Sequence, residues 1–85
     1  MNEIEFYKTY QAIDGSKVQK WFCYVNNMKL LHRQYKPAII TECHDFYYKY
    51  GKVHRLNAPA VIFKNGKYKG LKEFWEFGKL IRETF

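Results

Sequence analysis

The sequence has few cysteines, no cysteine pair of metal-binding spacing and no long apolar run. Its two cysteines, Cys23 and Cys43, form neither a zinc site nor a Cys-x-x-Cys redox motif, even when His44 is counted with them. The first residues lack the basic and apolar segments of a secretory leader, so we expect a cytoplasmic protein with two free thiols. No apolar stretch reaches membrane-spanning length, which argues against a membrane partner.

Acidic residues are also scarce. Fifteen lysines and arginines stand against eight aspartates and glutamates, a formal net charge of +7. Such an excess on a small surface favours a polyanion or an acidic protein as partner. The length of 85 residues predicts a single domain, residues 1–85, and the aromatic residues, 20% of the chain, must supply much of its core.

Short runs of aromatic and β-branched residues between Gly, Pro, Asn and Asp predict β-strands. Residues 4–11 and 18–25, joined by Asp14-Gly15, predict an N-terminal hairpin within residues 1–25. One stretch, residues 70–77, could also form a short helix, although its neighbours favour a strand. The further predicted strands are residues 38–42, 45–50, 59–64, 71–77 and 79–85.

A short repeat occupies residues 26–85. HRQYKPA at residues 32–38 returns as HRLNAPA at residues 54–60, and GKLIR at 78–82 is a partial third copy with Ile81 in place of the histidine. A recurrence of this period is typical of stacked supersecondary units. The fold class predicted is all-β, an antiparallel twisted meander of consecutive hairpins with two and a half short repeats.

The repeat resembles small phage and bacterial proteins built from units of the form N-G-K-L-H-R-x-x-G-P-A-x-x, which look loosely like MORN repeats. The resemblance covers about residues 21–85; Lys36 and Ala58 stand where the pattern usually has glycine. It implies a β-meander and no particular activity. Length, charge and repeat together resemble phage-encoded inhibitors of ToxN-type endoribonuclease toxins. That resemblance implies a counter-defence protein with RNA and an endoribonuclease toxin as partners.

One lysine-rich stretch, KNGKYKGLK at residues 64–72, predicts an RNA contact. Lysines offer mobile charges to phosphates and an exposed tyrosine can stack on an unpaired base, which suits single-stranded or irregular RNA. The alternative is a solvated hairpin whose lysines prevent aggregation through strand edges. The predicted contact residues are Lys64, Lys67, Tyr68, Lys69 and Lys72.

The three arginines, Arg33, Arg55 and Arg82, occupy one position of the repeat. If they face outward, they form a ladder of planar donors for successive phosphates.

The aromatic run FYYKY, residues 46–50, adds Lys49 to the predicted RNA surface. On a continuous strand, Lys49 and Tyr47 would share the outer face, while Phe46, Tyr48 and Tyr50 would share the inner one. Most of these rings are therefore predicted to lie in the core.

The histidines of the repeat, His32 and His54, allow an RNA-cleaving enzyme as an alternative. Recurrence with Pro-Ala instead favours a structural role, by hydrogen bonding and packing at the turn before proline, because an enzyme needs one organised site. We therefore expect no catalytic residue, no metal and no cofactor. The remaining alternative is a structural or protein-interaction module with generic nucleic-acid affinity, which could form homo-oligomers through its sheet edges.

Overall fold

A computed structural model of the chain describes residues 4–85, which form ten β-strands and no helix. The predicted all-β antiparallel meander is confirmed, and residues 70–77 contain a strand. The first three residues of the predicted hairpin within 1–25 lie outside the described part. The strands are β1 (Phe6–Gln11), β2 (Lys17–Val25), β3 (Met28–Leu31), β4 (Ile39–Ile40), β5 (His44–Phe46), β6 (Tyr48–Lys49), β7 (Lys52–Val53), β8 (Val61–Phe63), β9 (Lys72–Glu76) and β10 (Lys79–Thr84).

Eight of the strands form one antiparallel sheet in the order β1-β2-β4-β5-β8-β9-β10, and β3 lies beside the second half of β2. The other two, β6 and β7, pair only with each other within residues 4–85. In the described chain no helix is long and apolar enough to span a membrane.

The N-terminal hairpin joins β1 to β2 in a regular register, from Phe6 opposite Phe22 to Gln11 opposite Lys17. Its turn is held by the Asp14 carboxylate, which accepts hydrogen bonds from the Ser16 amide at 3.0 Å and hydroxyl at 2.6 Å. These two bonds stabilise the ionised carboxylate and lower the pKa of Asp14.

Three further hairpins repeat along the chain: β2-β3, β6-β7 and β9-β10, called here the first, second and third hairpins. Each closes with a two-residue turn in which both residues have positive φ. That geometry matches the twist of the strands and suits Asn or Gly. The turn residues are Asn26-Asn27, Tyr50-Gly51 and Phe77-Gly78.

The two Pro-Ala pairs of the repeat lead into the centre of the sheet. Ala38 and Ala60 are both 0% exposed. The amide of Ala38 donates to Phe46 O at 2.8 Å, and its carbonyl accepts from Trp21 N at 2.7 Å. The backbone of Ala38 is thus hydrogen-bonded to two neighbouring strand segments. Because this alanine is buried, a larger side chain at its position would have to displace its neighbours.

The predicted inside and outside faces of residues 46–50 are wrong. β5 ends at Phe46 and β6 begins at Tyr48, so Tyr47 interrupts the strand and breaks the alternation. Phe46, Tyr47 and Tyr48 are all half-buried, and Tyr50 is exposed. Among residues 4–85 the buried core is small and consists of Phe22, Cys23, Ala38, Ala60 and Val61, together with His32 and His54.

Candidate nucleic-acid interface

Each repeat histidine binds the tip of the next hairpin. His32 Nδ1 accepts a hydrogen bond from the Tyr50 amide at 3.1 Å, and its ring stacks on Tyr50 with centroids 4.3 Å apart. His54 does the same with Phe77, at 2.9 Å and 4.1 Å. Both imidazoles are buried. The expected hydrogen bonding and packing of the histidines is therefore found, but at the following hairpin tip and not at the turn before proline.

Backbone bonds join the hairpins at the same places. The amide of Gly51 donates to Leu31 O at 2.7 Å, and the amide of Gly78 donates to Val53 O at 2.8 Å. Each turn glycine therefore ties its hairpin to the end of the previous one. These contacts leave a recess beside the two His-Arg pairs.

Each repeat arginine places its guanidinium over an aromatic ring. The guanidinium carbon of Arg33 is 3.9 Å from the centre of the Trp21 ring, and that of Arg55 is 3.9 Å from the centre of Tyr47. Each guanidinium also donates from Nη1 to the carbonyl of the repeat proline, at 3.3 Å for Arg33 and 3.1 Å for Arg55. A guanidinium has five N–H donors, so most of them remain for a ligand while its plane is held in place.

Arg33 and Arg55 line one cleft of about 490 Å³, which we call the arginine cleft. Lys49 adds a third cation, and no aspartate or glutamate of residues 4–85 is among the lining residues. Glu5 contacts the cleft residues His32 and Gln34 without lining the cleft. The lining residues are His32, Arg33, Gln34, Tyr35, Tyr47, Tyr48, Lys49, Tyr50, His54, Arg55 and Leu56.

The third arginine of the predicted ladder lies elsewhere. Arg82 is on β10, exposed, with its guanidinium carbon 4.1 Å from the centre of the Phe74 ring. Like Arg33 and Arg55, Arg82 therefore places its guanidinium over an aromatic ring, but it does not line the arginine cleft. Ile81, which replaces the histidine in this copy, is 54% exposed, so the third hairpin ends the series of histidine contacts.

The predicted lysine-rich site lies at the end of β5 and β8 opposite to the arginine cleft. Residues 64–71 form a loop between β8 and β9 rather than a tight hairpin tip. The Lys64 amide donates to Cys43 O, beside the start of β5, whereas the cleft residue Tyr47 follows the end of β5. The structure thus groups Lys49, Arg33 and Arg55 and separates them from this loop.

Within the loop, the four lysines are not equivalent. Lys64 Nζ lies 2.8 Å from Asp45 Oδ1, a buried oxygen for which no group in the described chain has hydrogen-bond geometry. The contact is an ion pair that offsets the charge of Lys64. Lys67 Nζ lies 5.6 Å from the ring centre of the exposed Tyr68, and Lys69 and Lys72 are exposed.

Two glutamates face each other across β9 and β10, away from the cleft. Glu73 is opposite Glu83, and the Trp75 indole donates to Glu73 Oε1 at 2.9 Å. A hydrogen bond between the two carboxyl groups, and their mutual repulsion when both ionise, raise the pKa of Glu83 above its usual 4.5.

Sequence reasoning missed Tyr35 as a cleft residue. The available signal was the comparison of the two complete repeats, which places Tyr35 where the second copy has Asn57. Among the described residues no three His, Cys, Asp or Glu side chains are grouped as a metal site would require.

None of the family models, curated proteins or solved structures compared with this chain matches it.

Proposed function

We propose that the protein binds single-stranded RNA in the arginine cleft, and that the RNA-bound protein inhibits an endoribonuclease toxin in host cytoplasm. The observation that supports RNA binding is that Arg33 and Arg55, each held over an aromatic ring, line one cleft together with Lys49. Oriented guanidinium groups bind phosphate oxygens with little further loss of entropy. The tyrosines of the cleft suit unpaired bases, and duplex RNA would hide its bases from them.

The affinity should depend steeply on salt. Three cations that each neutralise a phosphate give a slope of log K against log salt of about −2 on single strands. Sequence preference should be weak, since charge and stacking read no base edges. The measurement is fluorescence anisotropy of a labelled oligouridine titrated with protein at several salt concentrations.

The sharpest variant for this site is Lys49→Gln. Lys49 is exposed and lines the cleft. Removing its charge should weaken binding several-fold and reduce the salt slope by about 0.7. Lys8→Gln, an exposed position on β1 with the same change of charge, is the matched control. Equal effects of the two variants would mean that net charge alone, and no particular cleft, holds the RNA.

The loop lysines are tested separately with Lys67→Gln and Lys69→Gln together. Under the proposal this pair weakens binding less than Lys49→Gln, because it leaves the cleft intact. A larger loss in the loop variant would move the RNA site to residues 64–72.

The toxin part of the proposal is supported by the resemblance of length, charge and repeat described above. A chain of charge +7 is repelled by the basic RNA-binding surface of an endoribonuclease, so RNA shared between the two proteins would screen that repulsion. Inhibition should then require RNA. Mixing the protein with a ToxN-type toxin should give weak association after nuclease treatment and larger complexes when RNA is restored. Equally tight binding under both conditions would exclude the RNA-assisted mechanism.

A second candidate, a protein-interaction module that self-associates, is favoured by the edge strand β1. Within residues 4–85 this strand pairs only with β2, has a regular register, and leaves Tyr7 and Thr9 exposed. The other edge, β10, carries an irregularity between Leu80 and Arg82 that disfavours pairing. Concentration-dependent sedimentation of RNA-free protein, abolished by Thr9→Lys, would support this candidate. A monomer at all concentrations would exclude it.

A further inference from the structure

We infer that Tyr35 is a base-binding residue, whose ring stacks on an unpaired RNA base at the arginine cleft. The inference rests on the proposed RNA-binding function and adds to it a specific residue and the part of the ligand that it contacts. Phosphate binding by the arginines does not depend on the presence of a base. Stacking on a tyrosine ring would make the affinity depend on an unpaired base.

The first observation is exposure. Tyr35 lines the cleft and is 87% exposed. Within the described chain no aromatic ring stacks on it and no cation lies over it. A tyrosine in this state contributes almost nothing to the free energy of folding through burial. Its side chain is therefore unexplained by packing.

The second observation is the backbone. Tyr35 has φ 70°, in the left-handed region, and its equivalent in the next repeat, Asn57, has φ 62°. Asparagine is among the residues that tolerate this region, whereas a bulky aromatic residue is rarely found there. The fold thus requires a left-handed residue at this position in both repeats, and in the first repeat it is a tyrosine that no ring or cation among residues 4–85 covers.

The third observation is that three other rings at or near the cleft are already covered on one face, and that the cleft residue Tyr48 is half-buried. The Arg55 guanidinium covers a face of Tyr47, the His32 ring stacks on Tyr50, and Arg33 covers a face of Trp21. Tyr35 is more exposed than the other tyrosines that line the cleft. It is the ring best able to receive a base.

The chemistry of the ligand follows from these neighbours. Arg33 and Arg55 can bind phosphates on either side of a nucleotide whose base turns outward onto Tyr35. Every base has a π face, so stacking tolerates any sequence. Paired bases are stacked on each other within the duplex, which makes the site selective for single strands.

The experiment compares Tyr35→Asn with the wild type on two probes that carry the same number of phosphates. One is a labelled oligouridine, and the other is the same backbone with abasic sites. Tyr35→Asn installs the residue that the second repeat has at this position, so the fold should be kept and its melting temperature unchanged or higher. We expect about a ten-fold loss of affinity for the oligouridine, the scale of one stacked base, and little change for the abasic probe. Tyr35→Phe should keep the wild-type affinity for both.

Two results would overturn the inference. One is an equal effect of Tyr35→Asn on both probes, including no effect on either. The other is a wild-type protein that binds the two probes equally well. Lys49→Gln separates this failure from failure of the proposed function: a several-fold loss on both probes keeps the cleft as the RNA site, whereas no loss on either removes the cleft and the inference with it.

Discussion

His54 Nδ1 lies 2.9 Å from the amide nitrogen of Phe77, and the two rings stack with their centroids 4.1 Å apart. One side chain thus satisfies a backbone donor in the tip of the next hairpin and covers the ring of the same residue. His32 makes the same pair of contacts with Tyr50. The histidine recurs because a tip recurs, and Ile81 replaces it on β10 of the third hairpin, beyond which the described chain has no further tip.

Replacing this histidine should destabilise the fold. His54→Ala leaves the Phe77 amide without its acceptor and removes a buried ring, so we expect a loss of about 1–3 kcal/mol in the free energy of unfolding measured with urea. His32→Ala should cost a similar amount, because the contacts are equivalent. Gln34→Ala, an exposed position, is the control, with an expected change within about 0.5 kcal/mol. An RNA-cleaving activity that disappears in either histidine variant without loss of stability would restore the catalytic alternative.

The stacked arginines should not behave alike. Arg55→Lys keeps the charge but loses the planar contact with Tyr47 and the hydrogen bond to Pro59, so RNA affinity should fall several-fold. Arg82 does not line the cleft. Because Arg82→Lys keeps the charge and alters no cleft contact, it should change the RNA affinity by less than about two-fold. Anisotropy with oligouridine measures both. Equal losses would favour the three-arginine ladder predicted from the repeat.

Lys64 should prove to be a structural lysine. Lys64→Gln leaves Asp45 Oδ1 buried without its ion-pair partner. Because the pair is partly exposed, the expected loss is modest, about 1 kcal/mol in urea unfolding. Lys67→Gln, with the same change of charge in the same loop, should cost nothing measurable. If the two variants unfolded at the same urea concentration, the ion pair would contribute no stability.

The Glu73 and Glu83 pair should make stability fall as the pH rises. The pKa of Glu83 is higher in the folded chain than its usual value of 4.5. At pH values between these two pKa values, the folded chain therefore binds more protons than the unfolded chain. Stabilisation by the shared proton is complete below that window and is lost as the pH passes through it. Glu83→Gln should therefore melt higher than wild type at neutral pH and should lack this decline. The control is Glu42→Gln, which removes the same charge at an exposed position. An equal rise of the melting temperature in this variant would indicate an effect of net charge.

Local chemistry explains why much of the fold can be predicted from the sequence. Two-residue turns with positive φ at both positions favour Gly or Asn, and Gly51 and Gly78 occupy two of the hairpin tips. Alternating aromatic and β-branched residues indicate strands without any knowledge of their partners. The period between HRQYKPA and HRLNAPA indicates stacked hairpins, because equal sequences make equal contacts with their neighbours. Recurrence of the histidines predicts a hydrogen-bonding role but not its partners, because Tyr50 and Phe77 are distant in sequence from His32 and His54.

The sequence by itself thus determined the all-β class, the longer strands and the repeat, which depend on residues a few positions apart, but it did not indicate β3 or the break at Tyr47. Only the tertiary structure decided which cations share a surface. Arg33 and Arg55 meet in one cleft because successive hairpins dock side by side, whereas Lys64 and its neighbours are carried to the far end of β5 and β8. Tyr35 reaches the cleft through a left-handed backbone position that its residue type does not suggest. In a hairpin the turn fixes the register, but the pairings of β2 with β4 and of β5 with β8 join strands that are not consecutive in the chain, so only the tertiary structure decides them.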